Sequence, residues 1–194
     1  MQSHPDITWV ILAGGRAIRM NGQDKGLIKL NEKPLIAYVH EQLSKQGAAI
    51  TINANRNQDI YHQYGDVFGD VFEGYPGPLG GMHAAMTTLS SDWLGFVPCD
   101  CPNLPSTLVD RMQSAIKPDT EIVVAHDGEH VQPVVTLMKR SLFKKLDDFL
   151  RGGDRKIVLL YDMCKTEVVD FGDQHDAFIN LNTPDELERY GQLS

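Results

Sequence analysis

The chain has few cysteines, no long apolar run and no excess of basic residues, and each shortage removes a class of function. Cys99, Cys101 and Cys164 are the only 3 cysteines in 194 residues. An odd, sparse set without paired spacing builds neither a disulfide framework nor a zinc site. Cys99 and Cys101 flank Asp100 and read as small apolar fillers. No apolar stretch approaches the roughly 20 residues that a membrane helix needs, and Met1 to Asp6 lack the basic and apolar regions of a signal peptide. A cytoplasmic protein with no membrane partner is expected. Lys and Arg number 18 against 26 Asp and Glu, a net charge of −8. That balance argues against nucleic acid as a partner, because such binding needs a basic surface. There is also no internal repeat, low-complexity segment or linker, and the length suits one medium-sized domain over residues 1–194.

What is present is an ordinary globular composition, 42% hydrophobic and 23% charged, arranged in alternating strand-like and helix-like runs. Ile7 to Leu12 is a short, largely β-branched run that stops at a glycine pair, the pattern of a buried parallel strand entering a loop. Pro34 opens a helix in which Leu35, Val39 and Leu43 recur at helical spacing, and Gly47 ends it. Ala48 to Asn53 is the next strand. The alternation continues with a helix at Gln58 to Tyr64, a strand around Val67 and Phe68, a turn at Gly74 to Pro78 and a helix from Leu79 to Leu89. Then come a strand at Trp93 to Val97, a helix beginning near Pro105, strands at Glu121 to Ala125 and Val134 to Met138, and a helix at Leu142 to Leu150. Glu167 to Val169 and Phe178 to Leu181 read as strands, before a last helix capped by Thr183-Pro184, with Glu186 completing the box. The expectation is an α/β, three-layer Rossmann-like fold with a mostly parallel central sheet. Ligands bind such sheets at the carboxyl ends of the strands.

The segments that follow strands carry the chemistry. Leu12-Ala13-Gly14-Gly15-Arg16-Ala17-Ile18-Arg19-Met20-Asn21-Gly22-Gln23-Asp24-Lys25 directly follows the first strand. Its glycines let the backbone approach a ligand closely, so that amide hydrogens can surround phosphate oxygens. Arg16, Arg19, Lys25, Lys29 and Lys33 make this region far more basic than the chain as a whole, a field that favours phosphates. Neither the P-loop pattern nor the three-glycine dinucleotide fingerprint is present. Asp100, leaving the strand Trp93 to Val97, is a carboxylate suited to magnesium, which takes oxygen ligands from one or two carboxylates and substrate phosphates. Asp70 could meet a base edge. Asn53 offers donors and an acceptor to a base or ribose. Alternation puts Asn180 and Asn182 on one face of an extended segment, a face that could line a pocket for a second substrate or cap an edge strand.

With these stretches the chain resembles the molybdenum cofactor guanylyltransferase (MobA-type) family of nucleotidyltransferases. The resemblance rests on the first loop, Asn53-Ala54-Asn55-Arg56, Tyr75 to Leu79, Pro98-Cys99-Asp100, His126-Asp127-Gly128 and Phe178 to Pro184. It departs from the family pattern at Ala17 and Cys101. The resemblance implies that Leu12, Ala13 and Gly14 contact a guanine nucleotide, Lys25 its phosphates, and that Asn53 and Asp70 complete its site. It implies Mg2+ on Asp100, functional roles for Gly15, Arg19, Gly22 and Asp24, and pterin contacts from Arg155, Lys156, Asn180 and Asn182. The implied reaction moves GMP from GTP to the terminal phosphate of Mo-molybdopterin and releases pyrophosphate, with Arg19, Lys25 and Asp100 serving the chemistry. Cofactor-delivery and acceptor proteins would be further partners. Two other readings stay open: a relative that transfers CMP to the same pterin or joins a nucleotide to a sugar phosphate, and a non-catalytic carrier of nucleotide or pterin.

Overall fold

The computed structural model describes residues 5–15, 22–74, 77–174 and 176–193. In chain order its elements are β1 (Ile7–Leu12), a small hairpin of β2 (Lys29–Leu30) and β3 (Lys33–Pro34), α1 (Leu35–Lys45), β4 (Ala49–Asn53), α2 (Gln58–Tyr61), β5 (Asp66–Phe68), α3 (Pro78–Thr88), β6 (Trp93–Pro98), α4 (Leu108–Ser114), β7 (Ile122–His126), β8 (Val131–Lys139), α5 (Phe143–Arg151), α6 (Ile157–Asp162), β9 (Thr166–Asp170) and α7 (Pro184–Leu193). Short 3-10 turns at Lys25–Leu27, His62–Tyr64 and Arg140–Leu142 extend this pattern.

The main sheet has 7 strands in the order β5-β4-β1-β6-β8-β7-β9. Every neighbouring pair is parallel except those that β8 makes with β6 and β7. Strand alternation sorts the core into two layers, one on each side of the sheet. Trp9 and Ile11 of β1 pack with Ile36, Val39 and Leu43 of α1 and with Leu108 and Met112 of α4. Val10 points the other way, toward Leu79 and Met82 of α3 and Leu146 and Phe149 of α5. The three-layer α/β architecture is therefore the expected one. Gly95 of β6 lies opposite Trp9, and a methyl group there would overlap the indole ring. That glycine makes room for a fully buried tryptophan.

Several elements differ from expectation. Phe178 to Leu181 is not a strand. Phe178 instead packs edge-on against Phe171 with ring centroids 5.4 Å apart, and the segment is tied to the sheet through Leu181 N donating to Asp100 O at 3.1 Å. The helix expected near Pro105 begins at Leu108, and β8 starts at Val131 rather than Val134. The hairpin β2–β3 and helix α6 have no counterpart in the sequence reading. The final helix does carry its capping box: Glu186 N donates to Thr183 Oγ1 at 3.2 Å, and Thr183 N donates to Glu186 Oε2 at 3.0 Å. Among the described residues no helix is long and apolar enough to cross a membrane.

This topology places the site. From β1 the chain moves outward through β4 to β5 and then returns to β6 on the opposite side of β1. The loops leaving β1 and β6 therefore part company at neighbouring strand ends, which opens a crevice there.

Candidate active site

A cleft of about 290 Å³ occupies that crevice. Its walls come from Leu12 to Gly15 after β1, Lys25, Asn53 at the end of β4, Asp70 after β5, Gly77 and Pro78 at the start of α3, Pro98 to Cys101 leaving β6, Gln132 to Val135 of β8, and Asn180. The volume is near the lower end of small-molecule sites.

On the β4 side the cleft is built by amides around one carboxylate. Asn53 Nδ2 donates to Asp70 Oδ1 at 2.9 Å, and Asn55 Nδ2 reaches Asp70 Oδ2 at 3.1 Å and Gly14 O at 3.0 Å. Asn55 Oδ1 in turn accepts from Asp70 N at 2.7 Å. Both oxygens of Asp70 are thereby oriented, and the glycine loop is tied to the segment after β5. A Cβ on Gly14 would lie 2.9 Å from both Asn53 Oδ1 and Asn55 Nδ2. Only glycine fits that approach.

Below the glycine loop a second cluster gathers around Lys25. Its Nζ donates to Asn182 Oδ1 at 2.7 Å and lies 3.3 Å from Asp100 Oδ2. Asp100 is only 6% exposed, and its Oδ1 takes no hydrogen bond among the described residues. Asp24, also buried, accepts from Tyr61 Oη and from Asn57 Nδ2, the latter at 3.1 Å. Gly22 O accepts from Arg56 Nη1 at 3.1 Å, which fixes the end of the first loop. Cys99 and Cys101 are buried as expected, and burial together with the Asp100 carboxylate keeps both thiols well above their ordinary pKa. Cys101 is more than a filler, because its Sγ donates to Asn180 Oδ1 at 2.8 Å.

Of the residues expected to form the site, Leu12, Ala13, Gly14, Gly15, Lys25, Asn53, Asp70, Asp100 and Asn180 share this one cleft, and Asn182 joins it through Lys25. Arg19 lies outside the described residues, as do Tyr75 and Pro76. Arg155 and Lys156 sit exposed between α5 and α6, where Arg155 Nη1 donates to Leu150 O at 2.8 Å; neither is among the cleft walls. Gln132 to Val135 form a wall that the sequence reading missed. The available signal was Pro133, since proline inside a strand-like run marks a bulge.

Among the described residues no three His, Cys, Asp or Glu side chains gather to hold a metal by themselves. The free oxygen of Asp100 fits magnesium all the same, because that ion is commonly bound by one or two carboxylates with substrate phosphates completing its shell.

A family model described as the MobA-like NTP transferase domain matches residues 9–165. The molybdenum cofactor guanylyltransferase of Photobacterium profundum is 59% identical over 192 residues, 99% of each chain. That of Vibrio vulnificus is 58% identical over 190 residues, 97% of each. Among solved structures, molybdopterin-guanine dinucleotide biosynthesis protein A from Archaeoglobus fulgidus matches with a TM-score of 0.79 at 19% identity, covering 96% of this chain and 97% of its own. The 4-diphosphocytidyl-2C-methyl-D-erythritolsynthase of Anaerococcus prevotii matches at 0.74 and 11% identity, covering 98% and 99%. At such identities these two structures speak for the fold alone.

Proposed function

The chain belongs to the MobA-like NTP transferase family, and on that premise we propose that the cleft at the ends of β1 and β6 is the seat of guanylyl transfer. The reaction is transfer of GMP from GTP to the terminal phosphate of Mo-molybdopterin, which forms molybdopterin guanine dinucleotide and releases pyrophosphate. The observation that carries the site assignment is the convergence of the glycine loop, Lys25 and Asp100 in one crevice.

The attacking phosphate is already an anion, so the reaction needs alignment and charge stabilisation rather than a general base. Leu12, Ala13, Gly14 and Gly15 let the nucleotide lie against the backbone, while Asn53 and the oriented Asp70 carboxylate offer hydrogen bonds to its base or ribose. Lys25 carries the positive charge that offsets charge gathering on the pyrophosphate, and Arg19 is assigned the same task. Magnesium held by Asp100 would neutralise phosphate oxygens and polarise the phosphorus under attack. Lys25 Nζ and Asp100 Oδ2 lie 3.3 Å apart, so each helps to hold the other in position. Asn182 Oδ1 accepts from the same Nζ and fixes the lysine further.

The test is pyrophosphate release with magnesium and molybdopterin, run side by side with GTP, CTP, ATP and UTP. Efficient release is expected with GTP alone. Preference for CTP would move the enzyme to cytidylyl transfer, and no release with any nucleotide would leave a carrier. Lys25→Ala and Asp100→Ala should each lower turnover by about 100-fold or more, the usual loss when one preorganised charge is removed. Near wild-type turnover in either variant would overturn that residue's role.

A further inference from the structure

The cleft wall formed by β8 has no part in the reaction described so far. Val124 of β7 pairs with Thr136, but the next residue, Ala125, pairs with Gln132. Pro133, Val134 and Val135 are therefore extra residues on β8, a bulge that pushes backbone and side chains into the cleft. Proline suits this place because it has no amide hydrogen to give to a neighbouring strand. The bulge is held from behind: Tyr161 of α6, itself buried, donates its hydroxyl to Pro133 O. The residue in front is held as well. Gln132 Nε2 donates to Asp127 Oδ2 at 2.6 Å, while Asp127 Oδ1 accepts from the backbone amides of Glu129 at 2.8 Å and His130 at 2.7 Å. The turn between β7 and β8 thus fixes the carboxylate, and the carboxylate fixes the glutamine amide. Its nitrogen is engaged, and among the described residues its Oε1 takes no hydrogen bond.

The geometry points to Gln132 as a specificity-determining contact for the acceptor, its Oε1 accepting from an N–H edge of a flat heterocycle that rests on Pro133 and Val134. An amino-pyrimidinone edge, with an amine and a ring N–H side by side, has the matching chemistry. Pterin and guanine both carry that edge, and position decides between them. Asn53 and Asp70 lie at the ends of β4 and β5, whereas β8 lies beyond β1 and β6. From β4 to β8 is three interstrand spacings, about 14 Å. A base seated at Asn53 would not reach Gln132, and the phosphates would lie between the two ends, over Lys25 and Asp100. This inference rests on the guanylyl-transfer reading, and the experiment separates the two.

Steady-state rates are measured with wild type, Gln132→Ala and the nearly isosteric Gln132→Met, varying GTP and anaerobically prepared molybdopterin in turn. Tyr161→Phe, which keeps the buried ring but frees the Pro133 carbonyl, tests the support of the bulge. Both Gln132 variants should raise the acceptor KM by about 10-fold while the GTP KM changes less than about twofold. Tyr161→Phe should move it in the same direction by a smaller factor. Gln132→Met guards against a folding defect, and its thermal midpoint should match wild type. A shift in the GTP KM alone would place Gln132 in the nucleotide's half and overturn the inference. Unchanged constants for both substrates would also overturn it. A wild-type enzyme that releases no pyrophosphate would instead sink the guanylyl-transfer reading.

Discussion

At the scale of single residues, Lys25 is placed by its neighbour. Asp24 is nearly buried, yet no cation pairs with it among the described residues; it is held by the Tyr61 hydroxyl and the Asn57 amide. A buried carboxylate needs such donors, because losing a hydrogen bond to a charged group costs about 1.5–3 kcal/mol. Burial, then the charges of Cys99 and Asp24, push the Tyr61 hydroxyl far above its usual pKa, so it remains a donor throughout the working pH range. Tyr61 also sits so close to Gly26 that a Cβ there would meet its hydroxyl. The loop that aims Lys25 at Asp100 is thus clamped by a residue from α2. Tyr61→Phe should keep the packed ring and the fold but loosen the clamp, raising the GTP KM by about 10-fold with a small change in acceptor KM. Kinetics on both substrates check this, and an unchanged GTP KM would show that the loop holds itself.

At the scale of elements, α3 has two adjacent glycines, Gly80 and Gly81, in its first turn. Each costs a helix about 1 kcal/mol relative to alanine, so packing must favour them here. A methyl group on Gly81 would overlap Asn53 Oδ1 and lie 2.7 Å from Leu12 Cδ2. The helix is pressed against the ends of β1 and β4, where Leu12 and Asn53 stand. Gly81→Ala should improve helix propensity but still lower stability by about 1–3 kcal/mol through overpacking, and it should weaken GTP binding by displacing Asn53. Calorimetry with and without GTP reads both effects; a stabilised variant with normal GTP affinity would refute the tight approach. The sequence showed much at this scale. The largely apolar run Ile7 to Leu12 marks β1, a strand buried on both faces, and the spacing of Leu35, Val39 and Leu43 marks α1, a helix that writes the period of its one buried face into the chain. It could not show what depends on distant partners: Phe178 to Leu181 has strand-like composition but pairs with no strand among the described residues, and the bulge that Pro133 hints at takes its extent only from pairing with β7. The first loop, Asn53, Asp70 and Asp100 were legible because each lies at or just after the carboxyl end of one of the parallel strands β1, β4, β5 and β6. Gln132 was not, since β8 is antiparallel and brings its beginning, not its end, to the cleft.

At the scale of the whole molecule, pH should act on stability through two different sets of groups. Surface carboxylates are held below their ordinary pKa by nearby partners: Glu41 by Lys33 and Lys45, down to about 2, Asp119 by Lys165, Asp147 by Arg151 and then by its hydrogen bond with the His83 ring, and Asp173 by Arg111. For such groups the folded pKa is below the unfolded one, so their contribution is present above the unfolded value and is lost as pH falls through the folded value. Their exposure keeps each contribution small. Cys99 and Cys101 work in the opposite direction, because burial raises their folded pKa. Their contribution is complete below the unfolded thiol pKa of about 8.5 and is lost as pH climbs beyond it, at a slope of about 1.4 kcal/mol per pH unit for each thiol. The thermal midpoint should therefore be flat from about pH 5 to 8, fall gently toward pH 3 and fall steeply above pH 9, with the acid limb flattened in 1 M salt where surface pairs are screened. Replacing both thiols, in Cys99→Ala with Cys101→Ala, should remove much of the alkaline slope and leave the acid limb unchanged. An alkaline limb of the same steepness in that variant would show that other groups, such as the buried hydroxyls of Tyr61 and Tyr161, set the upper boundary instead.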